Sequence, residues 1–452
     1  MMGRVVAFYN KYGSIASLVN IWRYRMSSFE ILKSDDNGFS VQINFKFNKS
    51  MLKAEEEILE RLNEVGSMAT GKMLAQFDSD GSPIKIGNQT FTSKGLSEKN
   101  YQTPWGEARV TRHVYQSHSG GKTYCPLEND ARIIITSTPR FAKIISSKYS
   151  DLSTESVKKD LSENHGRIVQ RKTIQSIAEV VGIVAIAKET SWEYVPTPNE
   201  LADKVDSISI GLDGTCMQMR EDGWREAMTG TVSLYNKDGE RLHTTYVACS
   251  PEYGKEKFLN KLENAIVKIK DNFPKTKTIG LADGAKCNWT FLEKHTKFQV
   301  LDFYHASEYL GSYSKAVFKE VEEQKSWLSE ACHELKNEKA SAVNLLNIFQ
   351  NELLKKHVKA DKETIETVAT YYKNNCDKMN YSEILEMKLP IGSGVTEAAC
   401  KVIVKERMCK AGMRWNDDGA HVVLKLRSLN KTDGSWNHFW EKVDKLGFNM
   451  AA

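Results

Sequence analysis

Apolar residues recur along this chain with a helical and a strand period, and the way the two alternate changes near residue 205. Upstream, Val41–Phe47 and Ala108–Tyr115 alternate apolar and polar side chains, the period of a strand with one buried face. Lys53–Ser67 has helical spacing with many glutamates, and Asp78–Pro83 is a polar loop. Gly120-Gly121 within Ser117–Lys122 reads as a hairpin turn. These signals predict an N-terminal leader and helical segment over 1–83 and a small β-rich module over 84–135. Three helical segments follow: Pro139–Tyr149, Ser153–Glu163 with Ser153 as N-cap, and Thr173–Val181. Asn164-His165-Gly166 is a short polar turn between the last two. It gives 136–190 the outline of a helix-turn-helix, and equally that of a plain helical hairpin.

Trp192–Val205, with Pro196 and Pro198, is a linker. After it, strands are predicted at Ser207–Leu212, Gly230–Tyr235 and Thr244–Cys249, then a helix at Lys255–Asp271. A strand at Thr278–Ala282, a helix at Asn288–Lys294 and a strand at Phe298–Phe303 complete a mixed sheet flanked by helices over 206–304. Residues 305–388 are almost wholly helical in composition, with little strand signal. Leu389–Gly394 is a loop, Val395–Met408 is helical, Lys410–Asp418 is a loop and His421–Leu429 is helical, within a last piece over 389–445. The fold class is therefore α/β with several domains, and a helical block separates the sheet from its last helices.

At 452 residues, 40% hydrophobic and 27% charged, the chain has the composition of an ordinary globular protein with two or three cores. The net charge of +5 does not by itself name an anionic partner. The eight cysteines are scattered with no C-x-x-C pair. That pattern argues against a structural zinc site or a disulfide scaffold and implies a reducing cytoplasm. No apolar run approaches the ~20 residues of a membrane span. Ile15–Ile21 is interrupted by Ser17 and Asn20 and is too weak for a signal peptide. Residues 1–40 carry aromatics without a clear period, which suggests a partly ordered leader.

The candidate chemistry begins at Asp213-Gly214, where the first strand of the sheet is expected to end in a turn and a carboxylate. Asp283-Gly284 repeats the situation after the fourth strand. If those two strands are neighbours, both acids fall at one edge of the sheet. A third acid, Glu397, follows Ile391-Gly392-Ser393-Gly394 in the first turn of a helix, where the dipole tolerates negative charge. Three converging carboxylates repel one another unless a cation lies between them. Oxygen-only ligands favour Mg²⁺, with Mn²⁺ as a substitute, and two such ions suit phosphodiester chemistry. Asp302 and His305, three apart, are placed at the end of the fifth strand; His305 either orients Asp302 or contacts a phosphate.

Arg167, Arg171 and Lys172 give the 136–190 segment a positive bias, as a phosphate-contacting surface needs. Arg407, Lys410 and Arg414 follow the Glu397 helix, interleaved with Met413 and Trp415. Cations with an aromatic suit a nucleic-acid strand; a solvated helix end around a core Trp is the plainer account.

The stretches Tyr101–Glu107, Arg112–Tyr115, Gly120–Arg132, Asp160–Arg167, Leu212–Thr215, Ala282–Trp289, Asp302–Leu310, Gly392–Lys401 and Ala411–Trp415 resemble the DDE transposases of bacterial insertion sequences, of the ISKra type. The resemblance spans roughly residues 100–440 and implies a ribonuclease-H-like catalytic domain interrupted by a helical insertion. It implies Asp213, Asp283 and Glu397 as catalytic metal ligands, and it likens Asp302/His305 to an Asp/Cys-x-x-His motif of such transposases. Lys401 lies within the matched stretch and joins the expected DNA contacts. The implied function is Mg²⁺-dependent strand cleavage and transfer on double-stranded DNA, at terminal inverted repeats and target. A homodimer or higher oligomer would pair the two ends, with no membrane involved. The alternatives are a DNA-binding protein that keeps the fold without transposing, or a structure-selective nuclease. A glycosidase is poorly supported by three acids in basic surroundings.

Overall fold

The computed structural model describes residues 29–35, 38–355 and 361–448. The expected leader up to residue 28, including Ile15–Ile21, lies outside them. The chain divides into two compact units, one taking the described residues up to Ile144 with Glu155–Ile174, the other Ile145–Thr154 and Gln175 onward.

In the first unit, β1 (Phe29–Asp35) and β2 (Gly38–Ile43) form an antiparallel hairpin, so the strand expected over Val41–Phe47 ends earlier. Helix α1 (Met51–Ala75) starts at Ser50, whose hydroxyl accepts from the Lys53 amide, and runs past the predicted end at Ser67. The β-rich module is a four-stranded antiparallel sheet in the order β3 (Ile84–Ile86), β4 (Gln89–Gln102), β5 (Glu107–Ser117), β6 (Gly120–Tyr124). Ser117 pairs with Gly120, which closes the predicted hairpin turn. The short helix α2 (Pro126–Asp130) places Glu128 on a half-buried cation and a buried phenol: Glu128 Oε1 accepts from Lys99 Nζ at 2.7 Å and Tyr101 Oη at 2.8 Å. Arg112 Nε in turn donates to Tyr101 Oη at 2.8 Å.

Three helices follow where predicted: α3 (Pro139–Asp151) and α4 (Thr154–His165) slightly longer, and α5 (Arg171–Ala187), at 17 residues, nearly twice the expected Thr173–Val181. The stretch expected as one piece over 136–190 is divided between the units. The C-terminal end of α3 belongs to the second unit because its carbonyls are claimed there. Arg427, only 2% exposed, donates to the carbonyls of Ser150, Ile403 and Val402 and to Asp151 Oδ1.

The second unit is built on a five-stranded sheet. Its strands are β7 (Ser207–Gln218), β8 (Trp224–Tyr235), β9 (Arg241–Cys249), β10 (Lys277–Ala282) and β11 (Phe298–Leu301), in the spatial order β11-β10-β7-β8-β9. β7, β8 and β9 are antiparallel neighbours, whereas β10 runs parallel to both β7 and β11. Helix α6 (Glu256–Asn272) makes the crossover from β9 to β10; Phe258, Leu262, Ala265, Ile266 and Ile269 recur at helical spacing and are buried. Helix α7 (Lys286–His295) connects β10 to β11.

Helices α8 (Phe303–Val317), α9 (Val321–Asn337), α10 (Ser341–Leu354), α11 (Lys362–Asn375) and α12 (Tyr381–Glu386) make up the helical block. It was expected as a separate piece. Leu310, Tyr313, Leu335, Phe349 and Tyr372 instead join Ile210, Leu281 and Val300 in one continuous core, so the block packs as part of this unit. Next come α13 (Gly394–Ala399), prolonged through a wide π-type turn, Cys400–Lys405, to Met408, and α14 (Asp417–Lys431). Helix α15 (Ser435–Leu446) lies beyond the last helix that the pattern predicts; it buries Phe439, Trp440 and Val443. Among the described residues, no helix is long and apolar enough to cross a membrane.

Candidate functional site

Asp213 does not end a strand. β7 runs through it to Gln218, and Asp213 pairs opposite Thr229 on β8. The expected turn at Asp213-Gly214 gives way because Thr215 and Met217 are buried and the ladder to β8 continues; the chain turns instead near Gly223, at φ +69°. Gly214 serves another purpose, since a Cβ there would stand 2.2 Å from Glu226 Oε1.

Asp283 stands one residue past β10. The parallel register pairs Leu281 with Gly211, so continuing it by two residues brings Asp283 level with Asp213 on the same side of the sheet. Asp283 Oδ1 accepts from the Ala285 amide at 3.2 Å and from Asn288 Nδ2 at 3.4 Å, which steadies the carboxylate at the start of α7.

Glu397 reaches the same place from α13. That helix sits directly on β7 and β8: Thr396 Oγ1 lies 2.7 Å from Thr231 Oγ1, and Gly211 makes room for it. A Cβ at Gly211 would stand 2.1 Å from Thr396 Oγ1. Further along, the Cys400 thiol donates to Asp213 Oδ2 at 3.4 Å. Ser393 Oγ donates to Glu397 Oε1 at 2.8 Å. Burial raises the Asp213 carboxyl above its usual range; the Gly214 amide and the Cys400 thiol oppose this, and the charges of Asp283 and Glu397 add to the rise. Asp213 is therefore within electrostatic reach of both Asp283 and Glu397.

Asp302 was expected at the end of a strand reaching Phe303. β11 stops at Leu301, and fully buried Asp302 caps α8, its Oδ1 accepting from the His305 amide at 2.8 Å. The Ser393 amide donates to its other oxygen, which ties the loop before α13 to the start of α8. Burial alone would raise the Asp302 carboxyl, but the Ser393 and His305 amides hold it below its usual value. His305 Nδ1 is 3.2 Å from Asp302 Oδ1 and 4.0 Å from Glu397 Oε1. Burial lowers the imidazole pKa, yet the bond to Asp302 and the nearby carboxylates raise it above normal on balance.

Two groupings thus share Glu397. Among the described residues, the set of three ligand-type side chains whose donor atoms all lie within 4.8 Å of one another is Asp302, His305 and Glu397. Asp213 and Asp283, expected as ligands with Glu397, stand outside that tight set; Asp213 feels the charges of the other two. Asp302 already has an amide on each oxygen, so it acts mainly as the anchor of His305.

The expected DNA contacts separate into two kinds. Arg167 is buried: Nε donates to the Thr103 carbonyl at 3.1 Å, a terminal nitrogen donates to Gln102 Oε1 at 2.9 Å, and the guanidinium covers the Phe141 ring. Arg407 is 2% exposed, donates to the Tyr149 carbonyl and lies between the Tyr149 and Trp415 rings. Trp415 Nε1 donates to the Met408 carbonyl at 2.8 Å. These three are framework groups, because buried guanidinium and indole donors must be partnered inside the protein. Lys172, Lys401, Lys410 and Arg414 are exposed; Arg171 is exposed too but pairs with Glu155 at 3.4 Å. Ser393, expected from the sequence as the cap of this helix, stands at its N-cap position but makes no side-chain cap bond and instead donates to Glu397; Cys400 and Thr396 had no expected role. Their roles depend on contacts far away in the chain, though the Gly-Ser-Gly run did mark the loop.

No protein-family model matches the chain, and no curated protein matches it in sequence.

Proposed function

We propose that the chain is a DNA transposase of the DDE type, similar to the ISKra group, with a ribonuclease-H-like catalytic core formed by β7 to β11. The observation that supports the reading is that Asp213, midway along the central strand β7, feels the charges of both Asp283, just past the parallel neighbour β10, and Glu397, on the helix after the helical block. The order β11-β10-β7-β8-β9, antiparallel on one side of β7 and parallel on the other, is in keeping with that core.

The donor chemistry fits a hard divalent cation. All three acids offer oxygen, and the like charges that raise Asp213 are those a cation would relieve. Asp213, Asp283 and Glu397 would hold Mg²⁺, with Mn²⁺ substituting. When bound, such an ion would make a water or the DNA 3′-hydroxyl easier to deprotonate and would relieve charge on the leaving oxygen. The protein's own groups set the frame. Asn288 and the Ala285 amide hold Asp283; Ser393 orients Glu397. His305, kept protonated to higher pH by Asp302, offers a charged donor to a phosphate oxygen. Exposed Lys401, Lys410 and Arg414 supply phosphate contacts that position double-stranded DNA. Pairing two element ends would bring two or more copies of the chain together.

The test is Mg²⁺-dependent nicking and joining of duplex DNA carrying the inverted repeats that flank the gene. Asp213→Ala abolishes both, and full activity in that variant would sink the assignment. Cleavage without joined products would instead identify a nuclease of the same fold. Sequence-specific binding with neither Mn²⁺ uptake nor nicking would identify a DNA-binding protein that does not transpose.

A further inference from the structure

A cleft of about 780 Å³ opens between α7 and α11, starting at Gly284, the residue after Asp283. That volume lies within the ~300–1,000 Å³ of ordinary ligand sites. Its walls combine cations, amides and rings. Lys286 is exposed and has no ion pair among the described residues, and Asn374 is exposed on the facing helix. Lys378 lies 5.5 Å from the centre of the Trp289 ring and pairs with its own neighbour Asp377. Trp289 is only 6% exposed, and its indole N–H is buried without a hydrogen-bond partner. The cleft is tied to the acids: Tyr371 Oη donates to the Asp283 carbonyl at 3.3 Å, and the Tyr371 ring stacks on Tyr309 at 3.7 Å. One acid, Glu293, also lines it.

We infer that this cleft is a nucleotide subsite, taking a single DNA strand next to the scissile phosphate. Lys286 and Lys378 neutralise backbone phosphates as point charges, Asn374 contacts a sugar or base edge, and a base lies against the aromatic wall. The occupant is a strand rather than a small metabolite because the cleft begins at Gly284, directly after Asp283, and its wall residue Tyr371 bonds the Asp283 carbonyl, so a strand leaving the acids runs past this cleft. The inference rests on the transposase reading.

The experiment uses the full chain in Ca²⁺, without cleavage, and follows anisotropy of a fluorescein-labelled twelve-nucleotide oligothymidylate as salt is raised. Each phosphate contact on a single strand contributes about 0.7 to the slope of log K against log salt. The double variant Lys286→Gln/Lys378→Gln is expected to lose roughly 1.4 of that slope and about tenfold in affinity at low salt. Because Lys378 also rests on Trp289, Asn374→Asp provides a second probe at an exposed position; it repels the phosphate and weakens binding without disturbing packing. Unchanged affinity and slope in both variants would overturn the subsite, even if the wild-type protein nicks its DNA normally. Loss of slope in a protein that never nicks duplex ends would keep the subsite and remove the transposase reading.

Discussion

Placing one methyl group at Gly211 tests whether α13, and Glu397 with it, is held in register by close contact with β7. In Gly211→Ala the new Cβ would stand 2.1 Å from Thr396 Oγ1 and 3.3 Å from Thr231 Oγ1, where ordinary contact begins at 3.4 Å. Thr396 must therefore retreat by about 1 Å, and its hydrogen bond to Thr231 stretches or breaks. Overpacking of this kind costs about 1–3 kcal/mol. For a unit of this size each kcal/mol lowers Tm by ~2–4 °C, so the expected fall is about 2–12 °C by calorimetry. A catalytic group displaced by ~1 Å loses on the order of a hundredfold in rate, so nicking should fall more than the folded fraction does. Thr396→Ala in the same chain removes the clashing hydroxyl. It should recover most of the cleavage while leaving a stability deficit of about 1–3 kcal/mol from the unpaired Thr231 hydroxyl. A single variant that melts within about 1 °C of wild type and cleaves at the wild-type rate would refute the reasoning. A double variant that regains no cleavage would show that displacement of α13 is not the cause.

Asp302→Asn tests the anchor of His305. Asp302 ionises more readily folded than unfolded, so its charge stabilises the protein above the unfolded value near ~3.9, and this is lost as pH falls through the lower folded value. Denaturant titration should find the variant about 1.5–3 kcal/mol less stable at neutral pH, with the gap closing in acid; a pH-independent gap would contradict the assignment. In chelator, the His305 NMR titration should move to lower pH in the same variant, because Asp302 is what raises it. Arg427→Ala takes the buried guanidinium away from the carbonyls of Ser150, Val402 and Ile403 and leaves Asp151 with Lys431 alone. It should cost about 3–5 kcal/mol by denaturant titration, and a loss under ~1 kcal/mol would show that this knot is not structural. On duplex DNA, Lys410→Gln/Arg414→Gln should reduce the salt slope by about 0.9 per residue, whereas Arg167→Ala should lower Tm and leave the slope unchanged. The reverse pattern would return Arg167 to the DNA surface.

The chain's own periodicity carried the elements a long way. The strands and helices from Ser207 to Leu301 lie close to where the pattern puts them, since a strand or helix with one buried face must repeat its apolar positions at its own period. Asp213 and Asp283 were legible for a related reason, since a carboxylate at the end of an apolar run and followed by glycine is a local signature, and Glu397 by the Gly-Ser-Gly loop before its helix. Other assignments depended on neighbours that no local window contains. Nothing near Asp213 says that β7 continues past it; that follows from the twelve-residue β7 pairing along its length with β8. Arg167 and Arg407 read as surface cations by type alone, and only the carbonyls and rings around them, some hundreds of residues away along the chain in one case, make them framework groups. The same limit hid Thr396 and Cys400, whose partners are Thr231 and Asp213. Sequence determined which residues are apolar, at what period they recur, and which acids stand beside apolar runs and glycine turns. The tertiary structure decided which charges are buried and partnered and how closely the acids approach, because desolvation and distance depend on contacts made across the whole fold.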